Sequence, residues 1–246
     1  MKRAFIALGL STLLLATIGP PTPAVETPWL AFSFRSDADG YGPAPIDRPM
    51  LTAEERPSRE DVAVLDEWTA LVLEGGSLTV LRRDEKVWTS DPSWDVQHLL
   101  LADLDHDGQQ EAVLVLWRPF TREPAVVYDL FGLPAPWAEG SLRNHIFLYG
   151  WRDEVWRPLW CSSPLAEPIW EIAAGDTNGD GTSELVVLEG DYGSGLAEPA
   201  RHLAVWRWNG WGFSLQWRSP SGAFHNLSLL DVTGDDALEI VVTNLP

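Results

Sequence analysis

Little in this chain is basic, and almost none of it is sulfur. Its 246 residues hold 17 Lys and Arg against 36 Asp and Glu, a formal charge of −19, with one Cys and two Met. The acidity excludes nucleic acid as a partner, because a phosphate backbone needs a basic face. A single Cys excludes a disulfide framework within the chain and any multi-Cys zinc site. Cys161 reads as a small buried apolar residue, with a reactive thiol as the alternative. Trp, Gly and Pro are abundant instead, at 14, 20 and 19. With 45% hydrophobic and 22% charged residues the composition is globular rather than disordered. So many Trp suit large strand-lined cores or a sugar-stacking surface.

The chain opens on Met1-Lys2-Arg3, an apolar run from Ala4 to about Gly19, and Pro20-Pro21-Thr22-Pro23-Ala24. This pattern predicts a signal peptide over residues 1–24, cleaved after Ala24, and a secreted, extracellular or periplasmic product. The run is short of the roughly 20 residues that span a bilayer. No later run is long enough either, so no transmembrane segment is expected in the mature chain. That chain has 15 basic against 36 acidic residues, a formal −21.

Three acidic loops repeat. The first is Asp103-Leu-Asp105-His-Asp107-Gly108-Gln109-Gln-Glu111. The second is Asp176-Thr-Asn178-Gly-Asp180-Gly181-Thr182-Ser-Glu184. The third is Asp231-Val-Thr233-Gly-Asp235-Asp236-Ala237-Leu-Glu239. Short apolar runs rich in Val, Ile and Leu flank each loop, which favours strands. The repeat is wider than the loop. Trp88-Thr-Ser90, Trp160-Cys-Ser162 and Trp217-Arg-Ser219 precede the first loop Asp by 15, 16 and 14 residues. His145–Trp160 aligns with His202–Trp217 without a gap, and both carry a central turn, Arg152-Asp153-Glu154 and Asn209-Gly210.

Each unit reads as strand, turn, strand, connection, strand, acidic loop, strand. The fold expected is all-β, a propeller-like array of four-stranded antiparallel blades, three full and one degenerate, forming an incomplete ring. Residues 50–246 form the repeat domain, with units at 50–75 (degenerate), 76–117, 144–190 and 202–246. Residues 25–49 read as a linker or wrapping arm, and 118–143 as an inserted excursion.

Hard cations such as Ca²⁺ take six to eight oxygen ligands. Side chains at loop positions 1, 3, 5 and 9 can wrap one, with a backbone carbonyl at position 7. The candidate ligands are Asp103, Asp105, Asp107, Gln109 and Glu111; then Asp176, Asn178, Asp180, Thr182 and Glu184; then Asp231, Thr233, Asp235, Ala237 and Glu239. His106 points outward on this reading. An EF-hand needs its bidentate Glu at position 12, where Leu114, Val187 and Val242 stand within apolar strands.

These units resemble FG-GAP/VCBS-type repeats, the calcium-loop blades of integrin alpha propellers and many exported microbial proteins. The resemblance covers about residues 69–246. Its Phe-Gly and Gly-Ala-Pro signatures are absent here as such. It implies a β-propeller with two to three structural Ca²⁺ ions, and no single function. The leading expectation is a non-catalytic binding or scaffold module whose partner is a protein or cell-surface glycan, oligomeric if the ring is incomplete. Tyr128, Phe131 and Trp137 in the excursion are the candidate ligand-binding residues. The alternative is a lectin-like binder stacking sugars on Trp137, Trp156 and Trp211. A polysaccharide-acting hydrolase or a Cys161/His thiol catalyst ranks lower. Trp160 and Trp217, at equivalent places, are expected to pack between blades.

Overall fold

The computed structural model describes residues 29–37, 40–45, 62–121, 137–138, 140–194, 198–234 and 237–244; for 29–45 and 244 the description is of backbone alone. The signal-peptide segment, residues 50–61, Tyr128, Phe131, Asp235 and Asp236 lie outside it.

Sixteen strands are described. They are β1 (Trp29–Asp37), β2 (Gly40–Pro45), β3 (Val62–Asp66), β4 (Thr69–Glu74), β5 (Ser77–Arg82), β6 (Glu85–Thr89), β7 (Asp95–Ala102) and β8 (Glu111–Pro119). There follow β9 (Leu142–Arg152), β10 (Val155–Cys161), β11 (Ile169–Gly175), β12 (Glu184–Glu189), β13 (His202–Trp208), β14 (Phe213–Arg218), β15 (Phe224–Leu230) and β16 (Glu239–Asn244). They form four four-stranded antiparallel sheets, ordered β3-β4-β5-β6, β7-β8-β9-β10, β11-β12-β13-β14 and β15-β16-β1-β2.

The fold is therefore all-β and propeller-like. First strands touch in chain order, β3 to β7, β7 to β11 and β11 to β15, and among the described residues β15 and β3 make no contact of comparable extent. Sheet boundaries fall half a unit away from the sequence repeat. A sequence unit ends on the two strands around its acidic loop, and those two strands begin a sheet. In the last sheet the third and fourth strands come from the N-terminal arm, with Phe32 opposite Ile240 and Trp29 opposite Thr243. The excursion is also narrower than 118–143, because β8 and β9 stay paired through Pro119↔Leu142.

Cores lie between sheets, not within them. Strand alternation sends Ala112, Leu114 and Leu116 toward Leu71, Leu78 and Val80 of the first sheet. Val113 and Val115 turn the other way, toward Leu185 and Val187 of the third. Val186 and Leu188 then face Ile240 and Val242. Being buried on both faces explains why β8 and β12 read as continuous apolar runs rather than alternating ones.

Trp88 packs on Tyr149 and Trp156 of the next sheet, Trp160 on Trp208 and Phe213, and Trp217 joins the core facing the last sheet. The Ser two residues on has a job of its own. Ser90, Ser162 and Ser219 donate their N–H to the carbonyls of Leu78, Ile146 and Leu203 at 2.8–2.9 Å. Their hydroxyl oxygens accept the N–H of those same residues, each at 3.0 Å. Each Ser thereby pins the end of an outer strand to its neighbour. Ser162→Ala leaves the buried Ile146 N–H unpaired, and chemical denaturation is expected to register a loss of about 1–2 kcal/mol. A loss below a few tenths at all three equivalent serines would refute the pin.

Turn chemistry follows the sequence. Asp153 and Glu154 adopt positive φ in the β9–β10 hairpin, and Gly210 does so between β13 and β14. Gly75 and Gly76 make the β4–β5 turn with φ of 56° and 79°. The positive φ calls for glycine at Gly76, where a Cβ would also stand 2.3 Å from the Asp95 Oδ1 and push that side chain aside.

Candidate metal centre

Each acidic loop joins the first strand of a sheet to the second: β7 to β8, β11 to β12, β15 to β16. Position 9 begins the second strand, so its Glu points back under the loop. Glu111, Glu184 and Glu239 are at most 1% exposed. In every loop this carboxylate accepts the N–H of position 2, from Leu104 at 3.0 Å, Thr177 at 3.1 Å and Val232 at 2.7 Å. Position 2 itself enters the core, a role not read from the sequence.

The first two loops share three further backbone-to-side-chain bonds, and the second adds N–H bonds from Asn178, Gly179 and Asp180 to Asp176 Oδ1. Position 1 accepts from the N–H of position 6 (Gly108 to Asp103 Oδ2, 3.0 Å; Gly181 to Asp176 Oδ2, 2.7 Å). Position 3 accepts from position 5 (Asp107 to Asp105, 3.2 Å; Asp180 to Asn178, 2.9 Å). Position 5 accepts from position 7 (Gln109 to Asp107, 2.8 Å; Thr182 to Asp180, 3.0 Å). Left-handed backbone recurs at position 4 in His106, Gly179 and Gly234, and at position 6 in Gly108 and Gly181. His106 takes this conformation without being glycine and is exposed.

The loops differ in what satisfies the buried Glu. Asn178 Nδ2 donates to Glu184 Oε1 at 2.9 Å, and Thr233 Oγ1 donates to Glu239 Oε1 at 3.1 Å. The first loop has Asp105 at position 3, and an ionised carboxylate cannot donate. Glu111 Oε1 faces the Arg152 guanidinium from the end of β9 instead, at 3.3 Å. The same nitrogen lies 2.6 Å from Asp107 Oδ2 and 3.5 Å from Asp105 Oδ2. Arg207 of β13 serves the second loop differently, meeting Asp180 at 2.8 Å and Thr182 Oγ1 at 3.0 Å. Sequence reading took Arg152 for a turn residue and missed both arginines.

Asp103, Asp105, Asp107 and Glu111 place one ligand oxygen each within 4.8 Å of one another, a group that could hold a metal ion. Asp103 Oδ1 is buried and accepts no hydrogen bond among the described residues. An all-oxygen donor set with an orphaned buried carboxylate oxygen fits a hard cation. Crowding shows in the acidities. Burial, reinforced by Asp105, pushes Glu111 up to about 7. Asp105 is raised too, by burial first and by Asp107 next. Burial also acts to raise Asp180, but hydrogen bonds from Thr182 and the Arg207 charge outweigh it and hold it low. Burial raises Glu184. In the third loop, Asp231, Thr233, Ala237 and Glu239 are described and Asp235 is not.

Two expectations change, for Cys161 and for Trp156. Cys161 is exposed rather than buried, because it ends β10, an outer edge strand. Desolvation around its sulfur raises the thiol pKa, which disfavours a thiolate. His145 and His202 each hydrogen-bond a backbone carbonyl, Ser162 O at 3.2 Å and Ser219 O at 3.0 Å. Of the three rings considered for sugar stacking, Trp156 is buried at 7% exposure against Trp88, Tyr149 and Trp151. Trp137 is half-buried, packing edge-on to Phe120 with Arg143 over its face. Trp211 alone of the three is largely exposed, at 79%.

No family model matches this chain, and no curated protein matches it. Among the described residues no helix is long and apolar enough to cross a membrane.

Proposed function

We propose that this is a secreted, calcium-stabilised repeat protein of the FG-GAP/VCBS type, acting as a non-catalytic binding or scaffold module for a protein or cell-surface glycan. The observation that carries this reading is the convergence of Asp103, Asp105, Asp107 and Glu111, with an orphaned buried oxygen on Asp103. Bound Ca²⁺ would supply charge neutralisation and cross-linking of the loop. Asp103, Asp105, Asp107 and Glu111 would hold it in the first loop, with the Gln109 carbonyl. The residues of the second and third loops would do the same with fewer charges. A site that holds each loop closed between the first two strands of a sheet stabilises the array in which a partner surface is displayed. The two histidines serve backbone carbonyls in equivalent places, which favours a structural over a catalytic role for them.

The test is thermal unfolding. Ca²⁺ at ten times its dissociation constant adds about 1.4 kcal/mol, which for a chain of this size raises Tm by about 3–6 °C over EDTA. Equal midpoints in EDTA and in millimolar Ca²⁺ would sink the metal reading. Asp176→Ala is expected to reduce the Ca²⁺ shift more than Asp231→Ala. The second loop has Gly181 at position 6 where the third has Asp236.

A further inference from the structure

One guanidinium nitrogen of Arg152 lies within 3.5 Å of oxygens on three of the first loop's four carboxylates. A divalent ion shared by Asp105, Asp107 and Glu111 would draw on the same three carboxylates, so Arg152 and that ion would compete for them. The guanidinium is steadied by a second bond, from the other terminal nitrogen to the Trp151 carbonyl at 2.9 Å. In the second loop, among the described residues, no arginine nitrogen bridges three carboxylates this way. Position 3 of the second and third loops, Asn178 or Thr233, supplies the hydrogen bond to the buried Glu. In the second loop Arg207 meets Asp180 and Thr182. The first loop carries four carboxylates and no donor at position 3, so a cation must come from elsewhere.

We propose that Arg152 is the resident cation of the first loop, holding it closed without metal and competing with a divalent ion for the same oxygens. This rests on the metal reading above. Metal entry then requires the guanidinium to withdraw, which couples the first loop to the end of β9 and the β9–β10 hairpin. The loop with most carboxylates would thus bind more weakly than its charge suggests. It would respond over a range set by the competition, whereas in the second loop Arg207 meets a single carboxylate, Asp180.

The experiment compares the full chain with Arg152→Gln and Arg152→Lys, using Ca²⁺ alone as the probe. Calorimetric titration is paired with thermal unfolding in EDTA and in saturating Ca²⁺, and Asp105→Asn marks the heat belonging to the first loop. Arg152→Gln is expected to tighten first-loop Ca²⁺ binding about tenfold or more. Its Tm should fall in EDTA and recover in Ca²⁺. Arg152→Lys, keeping a charge with poorer geometry, should fall between. A merely structural role predicts equal losses in EDTA and Ca²⁺ with unchanged affinity, and that result overturns the proposal while leaving the metal reading intact. Binding by Arg152→Gln where the parent chain shows none supports it. No first-loop binding in any of these proteins overturns both.

Discussion

Asn144→Ala is expected to cost about 3–4 kcal/mol, because one fully buried amide ties two sheets together and nothing replaces it. Asn144 has no exposed surface. Its Oδ1 accepts the Ile169 N–H at 3.0 Å, at the start of β11 in the next sheet. Its Nδ2 donates to the Leu116 carbonyl at 3.4 Å on β8. Its backbone carbonyl accepts the Leu165 N–H at 3.0 Å, and its N–H donates to the Tyr192 hydroxyl at 3.2 Å. That hydroxyl in turn donates to the Leu165 carbonyl at 2.8 Å. Truncation leaves the Ile169 N–H and the Leu116 carbonyl facing a small void, each penalised by about 1–3 kcal/mol. Tyr192→Phe, which loses the hydroxyl's two bonds, to the Asn144 N–H and to the Leu165 carbonyl, should cost about 1–2 kcal/mol. Urea midpoints with unchanged slope are the measurement. An Asn144→Ala loss no larger than that of Tyr192→Phe would show that the amide does not bridge the sheets.

His145, the next residue, makes the chain acid-sensitive. It is 1% exposed, its Nδ1 faces the Ser162 carbonyl at 3.2 Å, and Arg118 Nε donates to its Nε2 at 3.4 Å. The neutral ring satisfies both: Nδ1–H donates and Nε2 accepts. Protonating Nε2 would turn an acceptor into a donor facing a guanidinium, in a desolvated place. Burial first, and the Arg118 charge as well, bring its pKa down to about 4 despite the Ser162 bond. As pH falls, the unfolded chain takes up this proton near 6.5 and the folded chain only near 4. Stability is therefore lost on acidification between those values and is constant above them. The loss amounts to about 2–3 kcal/mol. Raised carboxyls such as Glu189, which burial pushes up to about 7, work in the opposite sense over the same range. The contrast with His145→Gln isolates the imidazole. The wild-type advantage over that variant is expected to shrink by about 2–3 kcal/mol from pH 7 to pH 4. Parallel stability curves would refute it.

Much was legible in the residues because it is local. An acidic loop is written within nine residues, and its left-handed positions at Gly108, Gly179, Gly181 and Gly234 follow from glycine's lack of a Cβ. Hairpins were marked at Asp153-Glu154 and Asn209-Gly210, and repetition marked Trp88, Trp160 and Trp217 as packing rings. Short apolar runs at β8 and β12 marked strands, and only the packing of sheets on either side showed them buried on both faces. The legible features depend on neighbours in sequence or on periodicity, and periodicity survives without knowledge of the fold.

What depends on distant residues was not legible. The phase of the repeat was hidden because strand pairing has no local signature, so the same four-strand sentence can be cut at two places. Only pairing of Phe32 with Ile240 decides that the N-terminal arm completes the last sheet. Cys161 and Trp156 exchanged their expected environments because one ends an edge strand and the other faces the first sheet. Arg152 joins carboxylates 41 to 47 residues earlier in the chain, across the hairpin partner of β8. The sequence by itself determined the strands, the turns and the carboxylates of each loop, since those follow from backbone freedom and side-chain chemistry over a few residues. Tertiary structure alone decided which strands share a sheet and which cation the first loop meets, since both are set by contacts between segments that the chain holds far apart.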